Sequence, residues 1–311
     1  MALGEFDLIR RFFAGSALQH PFNQLGIGDD CALLNLPDTY QIAVTADTMV
    51  EKVHFFADVD PNALGHKVLA VNLSDLAAMG AEPFAVTLAL TLPQVDESWL
   101  QAFADGFLAL ARQCRVDLVG GDTTSGPLSL TVQAMGAVPL GQALLRSGAR
   151  PGDLIFVSGP IGDAGLGLKI KQGLPVFDNE QPLQRFDRPL PRIETGLALR
   201  GVASACIDIS DGLAADLGHI LQQSGVGAVL DWDKLPLSTA VGEYIATSSD
   251  WTLPLSAGDD YELCFTVPAP LAAKVPAGCH CVGVVEVESG LRIRRAGRIE
   301  NIPARGYQHF A

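Results

Sequence analysis

The chain is short of charge, and the charge it has is unbalanced. Only 18% of its 311 residues are charged, with 21 Lys and Arg against 35 Asp and Glu, a formal net charge of −14. So acidic a surface repels nucleic acid and anionic membranes, which argues against both as partners. If such a protein acts on anions, it must recruit cations to hold them. Long apolar runs are also missing: none reaches the ~20 residues needed to span a bilayer. The opening MALGEFDLIRRFF carries acids where a secretory signal carries bases followed by an apolar stretch, so a cytosolic protein is expected. Cysteine is sparse and scattered. Cys31, Cys114, Cys206 and Cys264 stand apart, and the Cys279-His-Cys281 trio has no second ligand pair at zinc spacing. All six are read as small structural hydrophobes.

Two nucleotide-binding signatures are absent as well. No G-x-x-x-x-G-K-[ST] appears, which excludes a Walker loop, and no G-x-G-x-x-G follows a strand, which excludes a dinucleotide fingerprint. What the chain does have is 48% hydrophobic residues, enough for a large core and for two domains.

Periodicity places the elements. QIAVTA at 41–46 reads as a buried strand ending at Asp47. Residues 61–80 read as a helix between Pro61 and Gly80, 84–92 as a strand and 97–114 as an amphipathic helix. VDLVGGD at 116–122 reads as a short strand stopping at two glycines and an acid, and 128–138 as a half-buried strand. SGARPGD at 147–153 is a turn or linker signal. Beyond it come a strand (LIFVSG), the glycine-rich PIGDAGLGLKI, a polar loop at 173–189 and a helix near 191–200. The strand ACIDIS, a helix from 211 to 225 and strands near 228–231, 261–267 and 279–286 follow. Two α/β domains joined near 138–150 are the simplest organisation.

The acids have a common setting. LGIGDDCALL puts Asp29 and Asp30 side by side on a glycine loop. Asp47, Asp122 and Asp208 each follow an apolar strand, where ligand sites of α/β sheets lie. Asp211 follows Ser210, and Asp75 sits mid-helix among Leu73, Leu76 and Ala77, three residues from Asn72 on the same face. Taken singly, Ser210 or Asp211 reads as a helix cap, Asp122 as a turn residue and Asp29–Asp30 as a polar loop. Taken together, acid-terminated segments without neighbouring bases suit Mg²⁺ or Mn²⁺ and not zinc. Glycine accompanies them in GIGDD, GGDTT and SDG, where backbone N–H groups can approach an anion, and Arg146 is placed to meet a phosphate. Metals, backbone donors and an arginine amount to a phosphoryl-transfer site without a P-loop.

These residues resemble the thiamine-monophosphate kinase family, within the superfamily of aminoimidazole ribonucleotide synthetase. The marks run through nearly the whole chain. They are GEFDLI at 4–9, GIGDDCA at 26–32, TADT at 45–48, VHF at 53–55 and AVNLSDLAAMGA at 70–81, then GGDTT at 120–124, RSGARPGD at 146–153, IDISDGL at 207–213, DYEL at 260–263 and GYQHF at 306–310. The resemblance implies a two-domain α/β fold, with a metal- and ATP-binding, dimerising domain over 1–138 and a domain over 148–311 contributing to ATP and substrate binding. It implies a homodimer through the amino-terminal sheets, and transfer of the γ-phosphoryl group of ATP to thiamine monophosphate. By matching position it implies metal ligation by Asp30, Thr45, the Ala46 backbone, Asp47, Asp75, Asp122, Asp208 and Asp211, with several Mg²⁺ ions or Mn²⁺ in their place. ATP contacts fall to Gly121, Asp122, Arg146 and Ser210, and substrate contacts to His54 and Asp259; Asp29 is a support.

The chain departs from the family pattern in three places. Asp259 stands where Glu is usual, Lys52 where Gly is common, and Ala304 where an aromatic is common; Tyr307 is the aromatic candidate in its stead. Because the acceptor is a phosphate already ionised near pH 7, no general base is expected and His54 is read as a binding group. Two rival readings stand beside this one. A selenophosphate or purine-pathway synthetase fits less well, since no Cys precedes Cys31. A non-catalytic metal and nucleotide sensor is told apart by turnover.

Overall fold

The computed structural model describes residues 5–14, 17–175 and 180–307. The first residue of GEFDLI, the last three of GYQHF and residues 176–179 of the expected polar loop lie outside them. The chain forms two units. One takes in the chain as far as Leu76 together with Ala81–Gly141; the other takes Ala77–Gly80 and the chain from Gln142 onward.

The first unit runs α1 (Glu5–Phe12), β1 (Asn23–Leu25), β2 (Leu33–Leu34), β3 (Tyr40–Val50), α2 (Pro61–Ala78), β4 (Glu82–Leu92), α3 (Glu97–Gln113), β5 (Asp117–Ser125) and β6 (Ser129–Pro139). Its four-stranded sheet has the order β3-β6-β4-β5, with β4 and β5 parallel and the other pairs antiparallel. α3 starts where the Asp96 carboxylate accepts the Ser98 and Trp99 N–H groups, and buries Leu100, Phe103, Phe107 and Leu110. Before β3, Asp117 anchors the incoming chain: its carboxylate accepts the N–H groups of Gln19 and His20 and the Asn23 side-chain amide.

Two strands differ from the sequence reading. β3 does not stop at Asp47 but continues to Val50, and β5 passes through Gly120, Gly121 and Asp122 to Ser125. Asp47 and Asp122 are therefore strand residues and not residues beyond a strand end. Nor is β3 buried on both sides. Ile42 and Val44 point to its outer face, 49% and 58% exposed, while Thr45 and Asp47 point inward.

The second unit runs β7 (Leu154–Val157), α4 (Asp163–Lys171), α5 (Gln181–Asp187), α6 (Ile193–Ala198), β8 (Ala205–Asp208), α7 (Leu213–Ser224) and β9 (Gly227–Asp231). It continues with α8 (Thr239–Ser248), α9 (Leu253–Ser256), β10 (Leu263–Val267), β11 (His280–Glu286), β12 (Gly290–Arg295) and β13 (Arg298–Asn301). Its seven strands lie in the order β13-β12-β9-β11-β7-β10-β8, parallel only between β12 and β9. The middle strands are apolar on both faces because both are covered. On one face Ile155, Val157, Ile207 and Cys264 pack with Leu213, Leu217 and Ile220 of α7. On the other, Phe156, Cys206, Leu263 and Phe265 pack with Leu199, the rings of Phe156 and Phe265 stacked at 5.6 Å. Cys206 and Cys264 are the buried hydrophobes expected, but Cys31 is exposed, carried out with the acidic loop it follows.

Candidate functional site

The first cluster lies where β3 passes the middle of α2. Thr45 and Asp47, two apart on one strand face, meet Asn72 and Asp75, three apart on one helix face. The Thr45 hydroxyl donates to Asp75 Oδ2 at 2.5 Å, and Asn72 Oδ1 accepts the Asp47 N–H at 3.1 Å. Asn72 is held by donating its amide to the Val68 carbonyl one turn back, at 3.0 Å. Asp47 and Asp75 are hydrogen-bonded to each other; burial, then the Asp75 charge, then that hydrogen bond push the Asp47 carboxyl up to about 6. Two carboxylates in contact are stable only by sharing a proton or by holding a cation. Every donor here is oxygen, which suits a hard divalent ion. Ala46, between them in sequence, faces the opposite side of the strand, so its backbone alone is available to a ligand.

The second cluster surrounds a cavity of about 940 Å³ within the same unit. One wall is the glycine loop, with Asp29, Asp30 and Cys31; the other is β5, with Gly121 and Asp122. Ile9 of α1 and Phe13 just past its end, with Leu88 and Leu118, supply apolar lining. Asp29 Oδ1 accepts the Asp30 N–H at 2.9 Å, which shapes the loop. Gly121 cannot be replaced: at φ 151° a Cβ there would stand 1.9 Å from the Leu88 carbonyl oxygen of β4. Asp122 is thus no turn residue, and its exposed carboxylate borders the cavity.

His54 sits in a tight turn after β3. Its Nδ1 accepts the Val50 N–H at 3.0 Å, while its own N–H donates to the Val50 carbonyl at 3.0 Å. With Nδ1 accepting, the neutral ring carries its proton on Nε2 and presents a donor there. Lys52, in the same turn, has φ 66°, a left-handed conformation that glycine adopts at no steric cost.

The third cluster belongs to the second unit. Asp208 ends β8, 3% exposed, and Ser210 and Asp211 follow on the turn into α7. Neither caps that helix. Its N-cap is Gly212 and makes no side-chain cap bond. The N–H groups of Ser210, Asp211 and Gly212 go instead to the carboxylate of Asp216, one turn into α7. Asp216 is drawn to about 7 by burial, although those three N–H groups favour its ionised form. The structure brings Asp259 and Tyr307 to this turn: the Asp259 N–H donates to the Ser210 carbonyl at 2.9 Å and the Tyr307 N–H to that of Asp211 at 3.2 Å. Asp259 has φ 68° and accepts the Tyr261 hydroxyl at 3.1 Å. Asp visits this left-handed region more readily than Glu, a local reason for the shorter acid here. Ala304, the position of the missing aromatic, lies against α7, and a Cβ on Gly218 would come within 2.7 Å of the Ala304 methyl. Arg146 is exposed on the segment before Gly148, whose N–H is taken by Ser224 of α7.

Sequence reasoning missed Asp216 and the ion cluster behind Asp259. Glu262, fully buried, takes the Ser158 hydroxyl, Arg185 at 2.6 Å and both arms of Arg192. The available signal was weak: acids inside apolar runs that need partners. Among the described residues, no group of three or more His, Cys, Asp or Glu side chains is drawn together as a ready-made metal shell, and no helix is long and apolar enough to cross a membrane.

Comparison with known proteins gives a consistent picture. Residues 28–138 match the AIR synthase related protein, N-terminal domain, and residues 150–289 the C-terminal domain of the same family. A thiamine-monophosphate kinase of Salmonella typhimurium is 47% identical, covering 100% of this chain and 99% of its own, and that of Escherichia coli K12 is 46% identical with the same coverage. The crystal structure of thiamine-monophosphate kinase from Stenotrophomonas maltophilia superposes with a TM-score of 0.86 at 45% identity, over 94% of this chain and 97% of that one. AaThiL complexed with AMPPCP and TMP superposes with a TM-score of 0.80 at 30% identity, over 100% and 99%.

Proposed function

This chain belongs to the thiamine-monophosphate kinase family, ATP-dependent phosphorylation of thiamine monophosphate is its reaction, and we propose that the transfer is direct, in line and Mg²⁺-assisted. The observation that carries the mechanism is the carboxylate pair Asp47–Asp75 with Thr45, an all-oxygen set whose excess negative charge fits a divalent cation. When bound, Mg²⁺ screens the charges of two anionic substrates and orients them. Asp30, Thr45, the Ala46 carbonyl, Asp47, Asp75, Asp122, Asp208 and Asp211 would hold the ions, and Mn²⁺ would suit the same ligands.

The acceptor phosphate, with a second pKa near ~6, is already largely a dianion at pH 7 and needs no base. What the protein supplies is positioning. Gly121 and Asp122 border the nucleotide, Ser210 contacts ATP, and Arg146 meets a phosphate with two parallel N–H bonds. His54 donates from Nε2 to the substrate; its Nδ1 is already occupied, which leaves no lone pair there for a base. Asp259 faces the cationic thiamine moiety, and Tyr307 supplies the aromatic surface lost at Ala304. In this reading residues 1–138 form the domain of the metal and nucleotide groups, 148–311 the domain of Ser210, Asp259 and Tyr307 that completes the ATP and substrate site, and Arg146 lies on the segment just before it. The protein works in the cytoplasm as a homodimer joined through the outer face of β3, where Ile42 and Val44 are exposed on an edge strand.

The test is turnover. Purified protein with ATP, Mg²⁺ and thiamine monophosphate should yield thiamine diphosphate by mass, and no phosphorylated protein should accumulate in a single turnover. Absence of product, or ATP binding without turnover, rejects the reading.

A further inference from the structure

The turn 208–212 carries a ligand set on the reading above, yet what holds it belongs to neither substrate nor metal. Three successive peptide planes lie between Ile209 and Gly212. A trans peptide points its N–H and C=O in opposite directions, so each plane can be held from both sides. On one side, the N–H groups of Ser210, Asp211 and Gly212 all donate to a single oxygen, Oδ2 of Asp216, at 3.1, 3.0 and 3.1 Å. On the other side, the carbonyls of the same three planes are all taken. That of Ile209 accepts the Tyr261 N–H at 2.8 Å, that of Ser210 the Asp259 N–H at 2.9 Å, and that of Asp211 the Tyr307 N–H at 3.2 Å.

The fit leaves no slack. A Cβ on Gly258 would stand 2.3 Å from the Ser210 oxygen, and one on Gly306 would stand 2.2 Å from the Asp211 oxygen. Asp216 is 3% exposed, so water does not compete for its oxygen. Hydrogen bonds to an ionised acceptor are about twice as strong as neutral ones, and chains of them polarise one another.

We propose that Asp216 is a positioning residue: its one carboxylate oxygen orients three peptide planes, and through them sets the two segments that carry Asp259 and Tyr307. The turn with Asp208, Ser210 and Asp211 and the segments with the substrate groups are thereby one mechanical unit, clamped from inside α7. The inference rests on the proposed reaction for the roles of those groups, but not for the clamp itself.

Two arms test it. The first needs no activity: amide hydrogen exchange of the whole protein, wild type against Asp216→Ala and Asp216→Asn. In Asp216→Ala, exchange should rise about 10-fold or more at residues 210–212 and, with them, at Asp259, Tyr261 and Tyr307. At pH 8, above the value of about 7 to which burial draws the wild-type carboxyl, Asp216→Asn keeps the oxygen and drops the charge, and should give a smaller, roughly threefold rise at the same amides. It carries this arm should the Ala variant fail to fold. Unchanged exchange at these amides, or a rise spread evenly over the protein, overturns the clamp. The second arm is kinetic. Asp216→Ala (Asp216→Asn in its place if the Ala variant does not fold) should raise the KM for thiamine monophosphate, but not further in an Asp259→Ala background, because it acts through that segment. Multiplicative effects overturn the coupling. Failure of wild-type turnover would strike the proposed reaction and leave the exchange arm standing.

Discussion

At the scale of single residues, the acids divide by what surrounds them. Asp47 and Asp75 touch each other inside the first unit, so removing one charge relieves repulsion while removing a proposed metal ligand. Asp47→Asn should therefore keep the fold, and without divalent ions it should be at least as stable as wild type above pH 6, where the raised carboxyl of wild type is forced to ionise. Turnover should fall about 10²–10³-fold, since a metal clamp supplies several kcal/mol. Near-wild-type rates at limiting Mg²⁺ would show that Asp47 is no ligand. His54 is the converse case: its Nδ1 already accepts the Val50 N–H, so in the proposed reaction the ring would serve as a donor and not as a base. His54→Asn should weaken substrate binding yet leave the shape of kcat against pH unchanged, whereas loss of a general base would cost roughly 10²–10⁴-fold and erase a limb of the profile.

At the scale of elements, the limits of sequence reading have physical causes. Helix α3 was legible because its apolar positions recur at helical spacing, and α2, apolar nearly all round, because Pro61 and Gly80 bound it. β3 and β5 were cut short because an acid interrupts each apolar run, and only the structure shows the backbone running on past Asp47 and Asp122. β12 was not read at all: LRIRR looks like surface, yet Arg292 is 8% exposed because Glu286 and Glu288 pair with it. Of the candidate site, the acids were legible as a group, while Asp216 and Glu262 were not, since their partners are backbone N–H groups or arginines far away in sequence. Asp260 shows what such burial does. Its carboxylate accepts the N–H groups of Gly162 and Ala164 at the start of α4, at 2.7 and 3.3 Å. Burial raises it to about 7, although these bonds and Arg185 favour its charge; Glu262 adds to the rise. From the unfolded value of ~3.9 up to about 7, the folded state holds the extra proton, so stability falls as pH rises through that window. Asp260→Asn should flatten the fall between pH 5 and 8 by on the order of 2–3 kcal/mol, read from urea midpoints. An unchanged slope would assign the dependence to other groups.

At the scale of the whole molecule, the outer face of the first sheet is at odds with a lone chain. β3 is an edge strand whose outward residues include Ile42 and Val44, both about half exposed, although β-branched residues of this size normally turn inward. Edges that stay open in monomers are commonly guarded by charge, proline or a bulge. β3 pairs with β6 without a register shift along all of Tyr40–Val50 and has no charged residue before Asp47, which points inward. A net charge of −14 opposes self-association in general, so only a specific apolar face can overcome it. The expected outcome is a homodimer through this face. Wild type should sediment at twice the mass of one chain, with the association strengthened by salt, which screens the like charges. Ile42→Asp with Val44→Asp should sediment as a monomer with the far-ultraviolet spectrum of wild type. Since Thr45 and Asp47 alternate with these residues along β3, the monomer should also require more Mg²⁺ for half-maximal turnover. A double variant that stays dimeric would place the interface elsewhere, and a monomer with an unaltered Mg²⁺ requirement would show that the two faces of β3 act independently.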